Sequence, residues 1–417
     1  MSAALRRSVA SLSIPNYRRF FVGQAVSVSG NWMQNVAAIW LVLHLTGSGT
    51  AVGLTAAAQF LPLLLVGAWG GLLADRIPKR RLLSITQVLL ALPPLALFAL
   101  VTTGAIQAWM VIALVFLGGV VTALDNPARQ AFVAEIVGPD RVVNAVALNS
   151  VLVHGSRIAG PGMAAAIIAI GGVGPCFALN ALSYVAMLVA LRRMDRRALA
   201  PAPPARRERG QLREAVRYVA ATPGLRLPLA MMAVIGTLSF NFPTILPLLA
   251  RYTFDGNASA YAALTSALAV GSIGGALAMG SRGRVDPRFL VGAALAFGGL
   301  TLAAAATPTF ALMLVALAAT GVASVSFSAG TNSAVQLTAA PEMRGRVMAL
   351  YSIVFIGSTP IGAPIVGWLA QTLDPRAGLA LGGLAALLTG LAAWGVLTTA
   401  PRRAEARTAG ATTPGRA

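Results

Sequence analysis

The sequence predicts an all-α membrane protein of twelve transmembrane helices arranged as two parallel six-helix repeats. Three observations carry that expectation: apolar stretches of spanning length recur along the chain, basic residues alternate between successive loops, and the two halves repeat each other in register.

Of 417 residues, 57% are hydrophobic and 11% charged, where soluble domains carry roughly 25% charged residues. Too few polar groups remain to coat a water-facing surface, so lipid must serve as solvent. A helix crossing a ~30 Å hydrocarbon layer needs about 20 apolar residues. Runs of that kind, bounded by Gly, Pro and charge, start near Phe20, Val52, Leu82, Ala108, Val142, Val173, Leu225, Ser259, Phe289, Phe310, Val347 and Ala377. The first follows Arg6, Arg7, Arg18 and Arg19 and leads into a polytopic pattern, so it is expected to be retained rather than cleaved. The fifth and eleventh are long enough to project into the cytoplasm. Cys176 is the single cysteine, which excludes an intrachain disulfide and any multi-cysteine metal site.

The chain has 32 Lys and Arg against 12 Asp and Glu, a formal charge of +20. On a soluble protein that excess would suggest a nucleic-acid partner, but its placement points to a bilayer instead. The N-terminus is basic, as are the 2-3 loop (Arg76, Lys79, Arg80, Arg81), the 4-5 loop (Arg129, Arg141) and the central segment from Arg192 to Arg226. So are the 8-9 loop (Arg282, Arg284, Arg288), the 10-11 loop (Arg344, Arg346) and the tail. The intervening loops hold only Arg251 and Arg376. Lys and Arg near span ends concentrate on the cytoplasmic side, so both termini are expected there, in a bacterial-type cytoplasmic (inner) membrane, and the number of spans is even.

The halves match in register. Pro139, Asp140, Ala147, Leu148, Ser150 and Gly160 recur as Pro341, Glu342, Ala349, Leu350, Ser352 and Gly362, a constant 202 positions on (139 to 341). Six spans return the chain to the side it left, so the repeats are parallel about an axis along the membrane normal, with a cavity expected between them. Residues 1–191 then form the first half, 192–222 a linker, 223–400 the second half and 401–417 a cytoplasmic tail. The linker from Arg192 to Gly210 is basic and Pro-rich with little to bury, and is expected to be mobile. After it, Gln211 to Ala221 reads as an amphipathic helix on the cytoplasmic membrane surface, with Leu212, Ala215, Val216 and Val219 opposite Arg213 and Arg217. The tail after Pro401 is polar and expected to be disordered.

The run Gly71-Leu72-Leu73-Ala74-Asp75-Arg76-Ile77-Pro78-Lys79-Arg80 resembles the signature between helices 2 and 3 of the major facilitator superfamily. Pro78 stands where that motif has Gly and Lys79 where it has Arg, which stiffens the turn and gives up bidentate pairing. The segments NYRRFFVGQAVSVSGNWMQNVAAIWLVLHLTGS, ALDNPARQAFVAEIV, LREAVRYVAATPGLR and MRGRVMALYS resemble the branch that includes the enterobactin exporter and macrolide-efflux relatives. The similarity runs from about Asn16 to Trp394. It implies secondary active transport by alternating access: proton-driven export of a small amphipathic molecule, a siderophore or drug-like compound, by a monomer without a cofactor. It also implies a gate, in which Asp75 faces the positive N-terminal end of helix 11 near Gly345 and Arg346, with Gly71, Arg76, Lys79 and Arg80 in the same signature. Asp125, at the cytoplasmic end of helix 4, is placed to pair with Arg76 or Lys79. The plainer reading of Asp75 is a solvated loop carboxylate.

Several residues stand out inside the spans. Arg157 lies about 22 Å along helix 5 from Val142, at 1.5 Å per residue. An intramembrane arginine costs at least ~2.5–3.5 kcal/mol and usually faces the bundle interior or a wet cavity. It either pairs with helix carbonyls or Asn149 to hold the bundle, or serves as a cavity group for an anionic substrate or for proton movement. His154, three residues earlier, is either a packed histidine or a titrating one. Helix 1 carries Gln24, Asn31 and Asn35, which in the resembled fold would meet Ser239 and Asn241 of helix 7 and Ser324 and Ser328 of helix 10 around the cavity. Interhelical hydrogen bonding is the alternative. Gly160, Pro161 and Gly162 in helix 5, and Pro360, Gly362 and Pro364 in helix 11, allow bending and close packing.

A membrane-embedded enzyme would need paired carboxylates, a nucleophile with its base, or a metal cluster, and the spans offer no such set. A phosphate loop for ATP-driven transport is not present in the sequence. A receptor or scaffold of the same fold, or an importer, remains the rival reading.

Overall fold

The computed structural model describes residues 10–200, 211–280 and 286–411, apart from the side chains of Ala68, Gly71, Leu72, Ala74, Asp75, Val143, His154, Gln211, Leu212 and residues 400–411. The linker run at 201–210, together with Arg282 and Arg284, lies outside the described residues. Among the described residues every regular element is helical.

In chain order the helices are α1 (Pro15–Thr46), α2 (Gly49–Arg76), α3 (Lys79–Thr102), α4 (Ala108–Val137), α5 (Val142–Gly171), α6 (Gly174–Arg192) and α7 (Gln211–Ala221). Then follow α8 (Pro223–Leu238), α9 (Phe242–Leu248), α10 (Ala258–Gly280), α11 (Pro287–Ala305), α12 (Phe310–Thr338), α13 (Pro341–Ile356), α14 (Thr359–Thr372) and α15 (Pro375–Ala411). Pro15, Pro223, Pro287, Pro341 and Pro375 each open a helix, where a missing N–H costs nothing. Ser48 and Thr309 cap α2 and α12 by accepting from Ala51 N and Leu312 N.

Eleven segments are long and apolar enough to cross a membrane, counting α8–α9 and α13–α14 as one crossing each. The twelfth crossing is α1, which at 32 residues has ample length but is diluted by its amides and serines. The protein's surface is correspondingly apolar: Trp69, Leu182, Val315 and Leu388 are each 61–68% exposed, an arrangement that water would not tolerate over so many helices. The predicted architecture therefore holds. The tail differs from expectation, because α15 carries its helix on to Ala411. Ala, Glu and Arg dominate residues 402–407 and are strong helix formers.

Two crossings are interrupted. Between α8 and α9, Ser239 to Asn241 leave the helix just before Pro243, which has no N–H to offer the Ser239 carbonyl. Between α13 and α14, Gly357 and Ser358 form a turn just before Pro360. These interruptions lie on the divisions between two compact units. The first unit comprises Met1–Arg209, Phe242–Ala269 and Thr359–Pro375; the second comprises Gly210–Asn241, Val270–Ser358 and Arg376–Ala417.

In the first unit, Tyr17, Phe20, Leu83, Phe132, Met187 and Leu191 form a buried core joining α1, α3, α4 and α6. The Phe20 and Phe132 rings meet edge-on at 5.7 Å. Glycines set the helix spacing: a Cβ on Gly70 of α2 would overlap the Ala123 carbonyl of α4, and one on Gly119 would overlap the Gln59 carbonyl. The second unit repeats this contact between α10 and α12, where Gly271 and Gly275 press against the carbonyls of Ala318 and Val322. The same small-residue packing device thus joins α2 to α4 and α10 to α12.

Candidate functional site

Two buried carboxylates near the basic-loop end of the first unit, Asp125 and Glu135, are paired, but not as the sequence suggested. Asp125 is 2% exposed and accepts from Thr86 Oγ1 at 2.6 Å, Gln87 Nε2 at 2.9 Å, and Arg129 Nε and Nη2 at 2.8 and 2.6 Å. Its expected pairing with Arg76 or Lys79 is not formed. Lys79 instead reaches Glu135 at 2.8 Å. The reason is register: α3 and α4 run antiparallel, Thr86 and Gln87 stand level with Asp125, and Lys79 stands level with Glu135, about 15 Å further along α4 at 1.5 Å per residue. Asp125 is also not at a helix end, since α4 continues to Val137. Arg80 donates to the Leu191 and Arg192 carbonyls at 2.7 and 3.2 Å, closing the C-terminus of α6. Arg76 is exposed. In the second unit Arg346 pairs with Glu214 of α7, and Tyr218 Oη accepts from Ala340 N at 3.2 Å, so the amphipathic helix is docked on α13. Its Ala215 and Val219 are buried while Arg213, Val216 and Arg217 stay exposed. Gly345, beside Arg346, is exposed, and the side chain of Asp75 is not among those described.

The polar residues of α1 are mostly used to hold it to its neighbours. Gln24 donates to Asn149 of α5 at 2.6 Å, and Ser29 and Ser156 are 3.1 Å apart. Asn31 accepts from Asn180 at 3.2 Å and from Tyr184 of α6, while Gln34 accepts from Asn180. Asn35 has no hydrogen-bond partner among the described residues and is partly exposed. Gly160 sits against Trp32, where a Cβ would overlap the Trp32 side chain. Pro161 is accommodated in an α5 that runs uninterrupted, and Gly162 faces open space. Arg157 is exposed, with its guanidinium carbon 5.1 Å from the centroid of the Trp32 ring. The side chain of His154 is not described.

In the second unit Ser239 and Asn241, expected at an open cavity, are 2% and 1% exposed. They serve the interruption of the helix: Ser239 donates to the Gly382 carbonyl of α15 at 2.6 Å and Asn241 to the Thr237 carbonyl at 2.6 Å. Phe240 between them packs on Phe297 and Phe355 at 5.2 and 5.4 Å. Ser324 is likewise buried and donates to the Gly321 carbonyl at 2.9 Å; Ser328 is half-buried.

At the end of the first unit that carries the loop 46–50, α2 and α14 are in direct contact. A Cβ on Gly49 would strike the Gly367 carbonyl, and one on Gly53 would strike Ala363 and Pro364. Gln371 Oε1 accepts from Ser48 Oγ at 2.7 Å and from Thr50 N and Oγ1, each at 3.1 Å. Tyr252 donates to the Gly47 carbonyl at 2.8 Å. Pro360, Gly362 and Pro364 all lie on α14, with Gly362 buried.

Sequence reasoning missed Arg129, Glu135, Asn180, Tyr184 and Gln371. The Asp125–Arg129 spacing of i, i+4 was a readable signal, as was the Asn180–Tyr184 spacing on α6. Gln371, a polar residue near a span end, carried none.

Comparison with known proteins fits this geometry. The family described as transmembrane secretion effectors, of the major facilitator type, matches residues 6–412. The staphyloferrin A transporter of Staphylococcus aureus is 25% identical over 61% of this chain and 64% of its own length. The multidrug efflux pump Tap of Mycolicibacterium fortuitum is 28% identical over 88% of this chain and 91% of its own. The enterobactin exporter EntS of Salmonella typhimurium is 25% identical over 90% and 91%. Among solved structures, a bacterial homologue of the iron transporter ferroportin in its inward-facing state superposes with a TM-score of 0.70, at 15% identity, over 91% of this chain and 98% of that one. That likeness is one of fold.

Proposed function

The chain belongs to the transmembrane secretion effector family of the major facilitator superfamily, and from that premise we propose that it exports a small amphipathic molecule, a siderophore or drug-like compound, by proton-driven alternating access. It is a multi-pass membrane transporter. The observation that carries the export reading is the similarity, at 23–28% identity over 82–90% of the chain, to efflux proteins named for cargoes as unlike as macrolides and enterobactin. The proposed setting is the cytoplasmic membrane with both termini in the cytoplasm, because the basic loops sit at one end of every crossing. The proposed unit is a monomer divided as 1–191, 192–222, 223–400 and 401–417. A receptor or an importer of the same fold is the rival.

In this reading the two ends of the bundle open in turn. Contact of Gly49 and Gly53 with α14 closes one of them. Asp75 would close the other, at the basic-loop end, against the start of α13. Proteoliposomes under an imposed pH gradient test the function: a labelled catecholate should move against its own gradient, and the flux should collapse with a protonophore. Gradient-independent equilibration, or uptake in the reverse sense, would favour the rivals. An Asp75→Asn variant is expected to slow this flux severalfold while its yield and melting temperature stay at wild-type values, and wild-type flux would remove Asp75 from the gate.

A further inference from the structure

Arg157 is the one Asp, Glu, Lys or Arg within the α5 sequence. It makes no ion pair and no hydrogen bond among the described residues, and what it meets is the face of Trp32 at 5.1 Å. Its direction is informative. At 100° per residue, Gly160, Pro161 and Ala164 lie within about 60° of it around α5, and all three are buried. Toward the opposite face Val151, Gly155, Ala159 and Gly162 are exposed, and on Arg157's own side Ser150 and Val146, nearer the start of α5, are exposed as well. Arg157 therefore stands where the packed part of this face gives way to an exposed strip, with its guanidinium against Trp32 of α1, the helix that α5 also meets through Gln24–Asn149 and Ser29–Ser156.

Energetics ask why it is there. An arginine at this depth costs at least ~2.5–3.5 kcal/mol. Its stacking on Trp32 returns roughly 0.5–2 kcal/mol, less than the cost, and the guanidinium donors have no partner among the described residues. A guanidinium whose donors are not taken up by protein groups binds oxyanions in forked fashion. Asn35 lies about one turn beyond Trp32 on α1 and also lacks a hydrogen-bond partner among the described residues.

We propose that Arg157, braced by Trp32, with Asn35 one turn further along α1, is the anion-binding subsite of the transport pathway, and that the cargo class is organic anions: molecules carrying a carboxylate, phenolate or phosphate on an apolar or aromatic body. This inference rests on the export reading for its use in transport, but the site itself is testable without flux.

The test places a thiol one turn beyond Trp32 on α1, as Asn35→Cys in a Cys176→Ala background. Rates of modification are compared for the anionic sulfonatoethyl and the cationic trimethylammonium-ethyl methanethiosulfonates. The anionic reagent should react about tenfold faster, relative to the cationic one, than with a free thiol in solution. Adding Arg157→Gln should abolish that preference, and Arg157→Lys should retain it. An unchanged ratio in the Gln variant overturns the proposal, as does a preference lost equally in the Lys variant. Flux of dansylglycine against dansylglycinamide in proteoliposomes then separates the two readings. A site preference that depends on Arg157 with neither compound moved keeps the subsite and counts against export. Equal flux of both compounds with a ratio indifferent to Arg157 keeps export and removes the subsite.

Discussion

Replacing Gly53 by leucine is expected to reduce flux at least tenfold while the protein still inserts and remains monodisperse. The Cβ alone would meet the backbone of Ala363 and Pro364, atoms that cannot rotate away, so α2 and α14 must separate to admit it. Overpacking of this kind costs ~1–3 kcal/mol, and each 1.4 kcal/mol is about a tenfold change in an equilibrium between conformers. If that contact forms in one state of the cycle and parts in the other, the cost falls on one state alone and the cycle stalls there. Gly118 is a control, because its Cβ would meet nothing, and Gly118→Leu should transport as the parent does. Wild-type flux in the Gly53 variant would mean that this contact is passive packing.

The largest effect on stability is expected at Asp125. Its carboxylate is buried and takes four hydrogen bonds from Thr86, Gln87 and Arg129, and Arg129 is itself only 14% exposed. Asp125→Ala leaves that guanidinium buried without its counter-charge, a loss of roughly 3–5 kcal/mol by analogy with other broken buried pairs. The melting temperature in detergent should fall sharply. Asp125→Ala with Arg129→Met should recover part of the loss, because no uncompensated charge remains, and this double-mutant comparison isolates the pair. Additive losses in the double variant would show that the two side chains act independently.

The fold was legible because its causes are local and repeated. Apolar length marks a crossing wherever it occurs, and a Pro at a helix start or a change in loop charge can be read from a few residues. Even α1, the least apolar crossing, was recognisable as a run starting near Phe20 after a cluster of arginines. The site was less legible. Asp125 and Lys79 were visible as charges, but which partners they choose depends on the antiparallel register of α3 against α4, a tertiary quantity that no local pattern states. Ser239 and Asn241 looked like cavity polar groups, whereas they satisfy backbone carbonyls around an interruption that Pro243 imposes. The polar density of α1 overstated the number of groups free to meet a cargo, because Asn180 and Tyr184 on α6 already engage Asn31 and Gln34.

Alternating access by this route requires α2 and α14 to part and rejoin in each cycle. A Ser48→Cys, Gln371→Cys pair in a Cys176→Ala background tests it, since those side chains touch at 2.7 Å. Oxidation to the disulfide should abolish flux, and reduction should restore it, with no change before oxidation. Full flux through the cross-linked protein would contradict the requirement.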